Sequence, residues 1–474
     1  MFSNPLIRRY RFSQFRPQQL WTFGIVYICV IALTLFININ IYRYGRAYSD
    51  IPAMFKSLFI QFSIFEIIIA WLLMPYNSSS IITKEITEKT FEFFRLLPVS
   101  AFQKATGILI GRNLFSLMLS VCTLCLIIIF GILGLIPLML LGQLLLGFIC
   151  ITFAINTLTL LSSVLSFKKA KNNSSVLIII LFAIFVVAPL IGALANALER
   201  DSLHKSYVSF FTIEIPVLLL ISGYATYIAV WAFAGVIRRF TLEYEPLFSP
   251  WRAVLFLITL YIMLYALFYK AIQSDTDAPV MAMCYWIVCL IPLEVLPFFS
   301  LQGFDKYLER TRKAQTSRNL FGHIFLRANP AMAVVLFSIW FVNCALTGCL
   351  AGIELLPFVL PAAVLFTFFL VVMMGLEVYV TYSPRNEKIG YLIGFLGGLY
   401  FVLPLILAGI FDAEAVSILS PIGFVIYSGN HIDTIGSSCL APAVFNLLLL
   451  ILTGMPVFKQ YKNLASARTQ LQSV

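Results

Sequence analysis

Apolar runs of 18 or more residues recur along the chain, broken by short polar strips, and each run is long enough to cross a bilayer. The pattern predicts spans at roughly 20–39, 55–75, 108–130, 138–164, 175–197 and 215–236. A second set follows at roughly 251–271, 280–300, 331–353, 355–379, 389–411 and 437–459, making twelve. Between the second and third spans lies the longest charged insert of the first half, residues 76–107. Within it, Ile82, Ile86, Phe93 and Leu97 recur at helical spacing, while Lys84, Glu85, Glu88, Glu92 and Arg95 take the opposite face. This pattern predicts an amphipathic helix at about 81–97 lying along the membrane surface. Leu97-Pro98 should end it, because the residue before proline is pushed out of the α region. The same periodicity also fits an interfacial anchor with no further role.

The first 19 residues interleave arginines with Leu6, Ile7, Tyr10, Phe12 and Phe15. They predict an elbow helix over 3–18 resting on anionic headgroups. Composition agrees with the membrane assignment: 61% of the residues are hydrophobic and 11% are charged, against roughly 25% charged in soluble domains. The fold class expected is therefore all-α and polytopic. With the N-terminus inside, 26 of the 32 lysines and arginines fall on the cytoplasmic side, which sets the orientation and leaves both termini cytoplasmic. The net charge of +11 is then a topology signal and a lipid contact, and no nucleic-acid partner is needed to explain it.

A shift of about 222 residues brings spans 2, 3, 4 and 6 onto spans 8, 9, 10 and 12. That register predicts two six-span halves, 1–240 and 241–474, related by a pseudo-two-fold along the membrane normal. The insert of the second half, 301–330, keeps little of the first insert's pattern. Nine cysteines sit mostly inside apolar spans, as small packing residues do, and the three widely separated histidines complete no zinc set with Cys122 and Cys125. Glu66, near the middle of span 2, is costly there and such groups are commonly functional. It either lines a translocation route or is protonated and hydrogen-bonded to a neighbouring helix; the sequence leaves both open. Outer segments 198–212 and 412–436 carry aromatics and prolines suited to short re-entrant helices.

Residues 82–108 resemble the cytoplasmic loop of ABC exporter membrane subunits of the ABC type-2 permease family. In that family the loop after span 2 carries an isoleucine, a charged run, Gly-Thr, an acid, Pro and Ser, then Gly-Lys. Ile82, Glu85, Thr90, Glu92, Pro98, Val99, Ser100 and Gly107 match it. The opening Asn4-Pro5-Leu6-Ile7-Arg8-Arg9 is similar to the family's Asn-Pro start, with Tyr10 in place of the usual acid. Departures exist. Ile86 and Thr87 replace a basic–acidic pair, Lys89 replaces glycine and Ile108 replaces lysine; in the second half only Asp305, Glu309 and Arg310 are possible remnants.

The resemblance implies an exporter subunit of a bacterial plasma (inner) membrane, moved by separate ABC ATPase subunits, two copies being expected. ATP and Mg would sit in that partner and no cofactor in this chain. Ile82, Glu85, Glu88, Thr90, Glu92, Pro98 and Gly107 would form the ATPase-coupling region. The chain has no GxxxxGK[ST] phosphate loop, so ATP hydrolysis is not expected of it. Three further arrangements remain open: pairing with another permease copy, an ion-coupled secondary transporter using Glu66, and a membrane anchor for an ATPase complex. The sequence names no substrate.

Overall fold

The computed structural model describes residues 4–15, 17–44, 50–78, 98–165, 207–241, 250–273, 281–282, 284–290, 292–293, 330–350 and 362–371. It also describes 404, 406, 419–420, 423–424, 439–452 and 455. The chain is mostly helical and divides into two compact units. One holds Met1–Val208 and Ile215–Glu243; the other holds Ser209–Glu214 and Tyr244–Val474.

In the first unit, α1 (Pro5–Gln14) starts on Asn4, whose side chain accepts from the Leu6 N–H, with Pro5 at the first helical position. That pairing satisfies one orphan donor and removes another. The helix stops at Phe15, shorter than the 3–18 expected, and α2 (Pro17–Tyr44) begins immediately after. Next comes α3 (Ile51–Ile67), which continues through a π-helical turn at Ile68–Leu73 and on as helix to residue 78. Helix α4 (Ala101–Arg112) is followed at once by α5 (Leu114–Leu133). The apolar run at 108–130 is thus not one rod, as its hydropathy suggested. Asn113, at φ −98° and ψ 8°, interrupts it, and the spanning helix starts only at Leu114.

The short segment 134–137 turns the chain into α6 (Leu138–Leu165). Helices α6 and α7 (Val217–Thr241) form the most extensive pair. Their contact includes Ala154, Ala225 and Ala229, small residues that let helix backbones approach in an apolar medium. Leu58, Phe59, Phe62, Ile127, Phe130, Leu141 and Leu144 fill the adjoining core, with the Phe62 and Phe130 rings stacked at 5.2 Å.

Strands β1 (Tyr207–Phe210) and β2 (Ile213–Pro216) form a two-stranded hairpin. Over residues 207–212 this corrects the expected re-entrant helix, whose residues 198–206 lie outside the described residues; among the described residues the hairpin is the exception to the all-helical class. Tyr207, Val208, Phe210, Ile213 and Ile215 are β-branched or aromatic, as strands prefer, and Phe211 turns the chain with φ 53°. The Phe211 ring packs edge-on against Tyr265 and Tyr269 of α8 (Pro250–Ile272), and its N–H donates to the Ala266 carbonyl at 2.8 Å.

The second unit is built on α8, α9 (284–290), α10 (Pro330–Leu350), α11 (Ala362–Val371) and α12 (Leu440–Leu452). Its core gathers Leu257, Tyr261, Tyr285, Trp286, Leu336, Trp340, Phe368 and Phe369.

Six helices among the described residues have the length and composition to cross a membrane: Gly24–Tyr44, Ile51–Ser78, Leu114–Leu133, Leu138–Val164, Val217–Thr241 and Trp251–Ile272. Large apolar side chains cover their outer faces. On α2 alone Trp21, Ile25, Val26, Ile28, Leu33 and Phe36 are exposed. Apolar surface on this scale belongs against lipid. The chain is an integral membrane protein.

Candidate functional site

Two places in the first unit gather the residues that the sequence singles out. The first is a corner where α1 lies against α4. Leu6, Ile7 and Tyr10 are buried there, while Arg8, Arg9, Arg11 and Phe12 are exposed. Gly107 and Gly111 stand one turn apart on the facing side of α4. A Cβ on Gly107 would come within 2.9 Å of Leu6 Cβ, and one on Gly111 within 2.7 Å of the Tyr10 ring. Only glycine permits so close an approach.

Polar contacts fix the register of that corner at both ends. Asn4 caps its own helix and donates through Nδ2 to the Gln103 carbonyl at 2.7 Å. Gln14 donates to the Arg112 carbonyl and accepts from the Phe115 N–H at 3.4 Å. Pro98 is exposed at a bend just before α4. Ser100 is the N-cap: its hydroxyl accepts from Gln103 N–H, and the Gln103 side chain accepts from Ser100 N–H, both at 3.2 Å. This reciprocal capping box was legible as Ser-x-x-Gln and gives Ser100 and Gln103 roles that the sequence reading had not assigned. Gly107 therefore acts as a packing contact for α1. Ile82, Glu85, Glu88, Thr90 and Glu92 lie outside the described residues.

The second place is the seam between α3 and α5. Along α5, Asn113, Ser116, Ser120 and Thr123 fall on one buried face, and each meets a polar partner. Asn113 Nδ2 donates to Ser78 Oγ at 2.8 Å, and Asn77 Nδ2 to Ser116 Oγ at 3.3 Å. Ser120 Oγ donates to Glu66 Oε1. Thr123 donates to the Leu119 carbonyl and pairs with the Tyr27 hydroxyl of α2 at 2.8 Å, so Tyr27 is the donor there.

From α6, Asn156 reaches the π-helical turn. Its Nδ2 lies 3.4 Å from the Ala70 carbonyl, and its Oδ1 accepts from Ser78 at 3.3 Å. Trp71 in the same turn donates to Thr152 of α6 at 3.2 Å. Such turns recur at functional sites because they redirect side chains within a helix.

Glu66 is 1% exposed. Its Oε2 is buried with no hydrogen-bond partner among the described residues. Of the two readings left open above, this arrangement has the carboxyl hydrogen-bonded to a neighbouring helix, with one oxygen left over. The nine cysteines are free thiols. The three histidines lie outside the described residues, and among those described no three His, Cys, Asp or Glu residues gather as a metal set.

The fold and these two sites define a helical integral membrane protein with a glycine-packed corner and a polar seam between spans. No protein-family model, curated protein or solved structure matches the chain.

Proposed function

We propose that the chain is the membrane permease of an ABC-type exporter, driven by a separate ATPase. In this reading twelve spans form two halves, 1–240 and 241–474, with both termini on the cytoplasmic side of a bacterial inner membrane. A pair of ATPase subunits supplies ATP and Mg. The helix at 81–97 is the lever: Ile82 and Ile86 seat in the membrane body, while Glu85, Glu88 and Glu92 meet the partner. The chain itself hydrolyses nothing.

One observation carries the reading. The two segments that hold the resemblance, the Asn4-Pro5 opening and the Pro98–Gly107 end of the loop, are about 100 positions apart yet meet through Asn4, Gln103, Leu6 and Gly107. An elbow helix clamped to the helix that leaves the lever gives the lever a fixed base, which force transmission needs. The division of the chain into units near residue 243 supports the two halves.

The test is copurification of the tagged chain from native membranes with a nucleotide-binding subunit. The reading expects that subunit to be retained by the wild type and lost in Glu85→Arg, with the permease itself still folded. Transport that persists without any ATPase and is abolished by Glu66→Gln would replace this reading with an ion-coupled carrier. ATPase binding with no transport would leave only a membrane anchor.

A further inference from the structure

The Glu66 carboxyl lacks the partners that an intramembrane acid ordinarily has. Ser120 serves Oε1, and Oε2 is buried without a hydrogen-bond partner among the described residues. Among the described residues, α2, α3, α5 and α6 bring no positive charge to it. Helices α5 and α6 contain no Asp, Glu, Lys or Arg at all; α2 contains only Arg43, in its last turn, and α3 only Lys56 besides Glu66. Lys56 precedes Glu66 by ten positions, about 15 Å along the helix axis. Among the described residues the titratable group beside it is the Tyr27 phenol on α2, which also lies near the thiols of Cys122 and Cys125 on α5; both thiols are exposed.

A metal cation does not suit the place. Small hard cations require about six oxygen ligands; among the described residues no three His, Cys, Asp or Glu gather as a metal set, and the one hydroxyl bonded to the carboxyl is that of Ser120. A proton is the one positive charge that needs a single oxygen and no further space.

We propose that Glu66 is a proton-binding site inside the first unit, its proton carried on Oε2 and exchanged with water through the polar seam between α3 and α5. Ser116 lies one turn from Ser120 on the same face, and Asn77, Ser78 and Asn113 continue the polar surface to the end of α3. The π-helical turn beginning two residues after Glu66 gives the seam a place to open, since its hydrogen bonds are already displaced from the regular pattern. This inference holds whether or not an ATPase drives the chain.

Infrared difference spectroscopy on the full chain in lipid, wild type minus Glu66→Gln, tests it in ordinary and heavy water. The expected result is a protonated-acid carbonyl band present in the wild type and missing from the variant, shifted downward by deuterium. Ser120→Ala, which removes the hydrogen bond to Oε1, should move the band to higher frequency and keeps the test valid if Glu66→Gln fails to fold. Absence of the band, with carboxylate bands in its place, overturns the proposal. A band that deuterium never shifts overturns the exchange with water.

Discussion

The two units bury polar side chains between helices in different ways. In the second unit the contact among α8, α9 and α10 is made by neutral groups. The Tyr285 hydroxyl lies 2.9 Å from Asn343 Oδ1 and 3.2 Å from the Tyr261 carbonyl. Tyr261 donates to the Cys289 carbonyl at 3.0 Å, and Trp286 to Thr347 at 2.7 Å. Large rings surround these bonds, among them Phe337 and Trp340 with centroids 5.3 Å apart. In the first unit the seam between α3 and α5 is made of Asn, Ser and Thr and contains a carboxyl with an unpartnered oxygen. A seam that served only packing would have no use for that acid, since ionisable side chains inside a membrane are costly and commonly functional. On the proposal that Glu66 binds a proton, the second seam serves packing and the first holds a working group.

The contrast places the largest stability loss in the second seam. Tyr285→Ala empties a fully buried site and should cost about 3–5 kcal/mol, read as a lowered midpoint in thermal unfolding of the detergent-solubilised chain. Next is the glycine corner of the first unit. Gly111→Leu drives a side chain into Tyr10 and the Ile7 backbone and should cost roughly 1–3 kcal/mol. Gly142→Ala, at a position where a Cβ meets nothing within 4 Å, should be neutral or slightly stabilising in the same assay.

Removing the α4 cap with Ser100→Ala should cost about 1 kcal/mol and speed amide exchange in the first turn of α4. Trp286→Phe and Thr347→Val, combined in a double-mutant cycle, should give a coupling near 0.6 kcal/mol, typical of interhelical hydrogen bonds in membranes. Glu66→Gln should change folding by no more than about 1 kcal/mol, because Gln still accepts from Ser120. A loss as large as that of Tyr285→Ala would erase the distinction between the seams.

The spans were legible because apolar length is what a bilayer selects. The stretch expected at 138–164 is helical over 138–165, and that expected at 251–271 over 250–272. The break at Asn113 was hidden by unbroken hydropathy on both sides of it. Only the Ser-x-x-Gln cap and the polar Arg112-Asn113 pair marked that a separate helix precedes α5. The π-helical turn leaves no compositional trace, since Ile-Ile-Ala-Trp-Leu-Leu suits either helix. The hairpin at 207–216 was marked by its β-branched and aromatic residues alone, and that content suited a membrane-facing helix equally well.

At the candidate sites, the cost of Glu66 could be read from one residue in an apolar run. Its partner Ser120 could not, because a serine bonded across helices looks like any small residue in a span. Gly107 could be picked out from its motif, whereas Gly111 and the identity of the approaching helix, about 100 positions earlier, are information that only the fold carries.

The most direct test of the lever is chemical labelling of a cysteine placed at Glu88 with a membrane-impermeant maleimide, the parent chain serving as background. The account predicts reaction in inside-out vesicles, none in right-side-out vesicles, and protection when the ATPase subunit is bound. Labelling from the outer face, or no labelling from either side because the residue is buried in the bilayer, would contradict it.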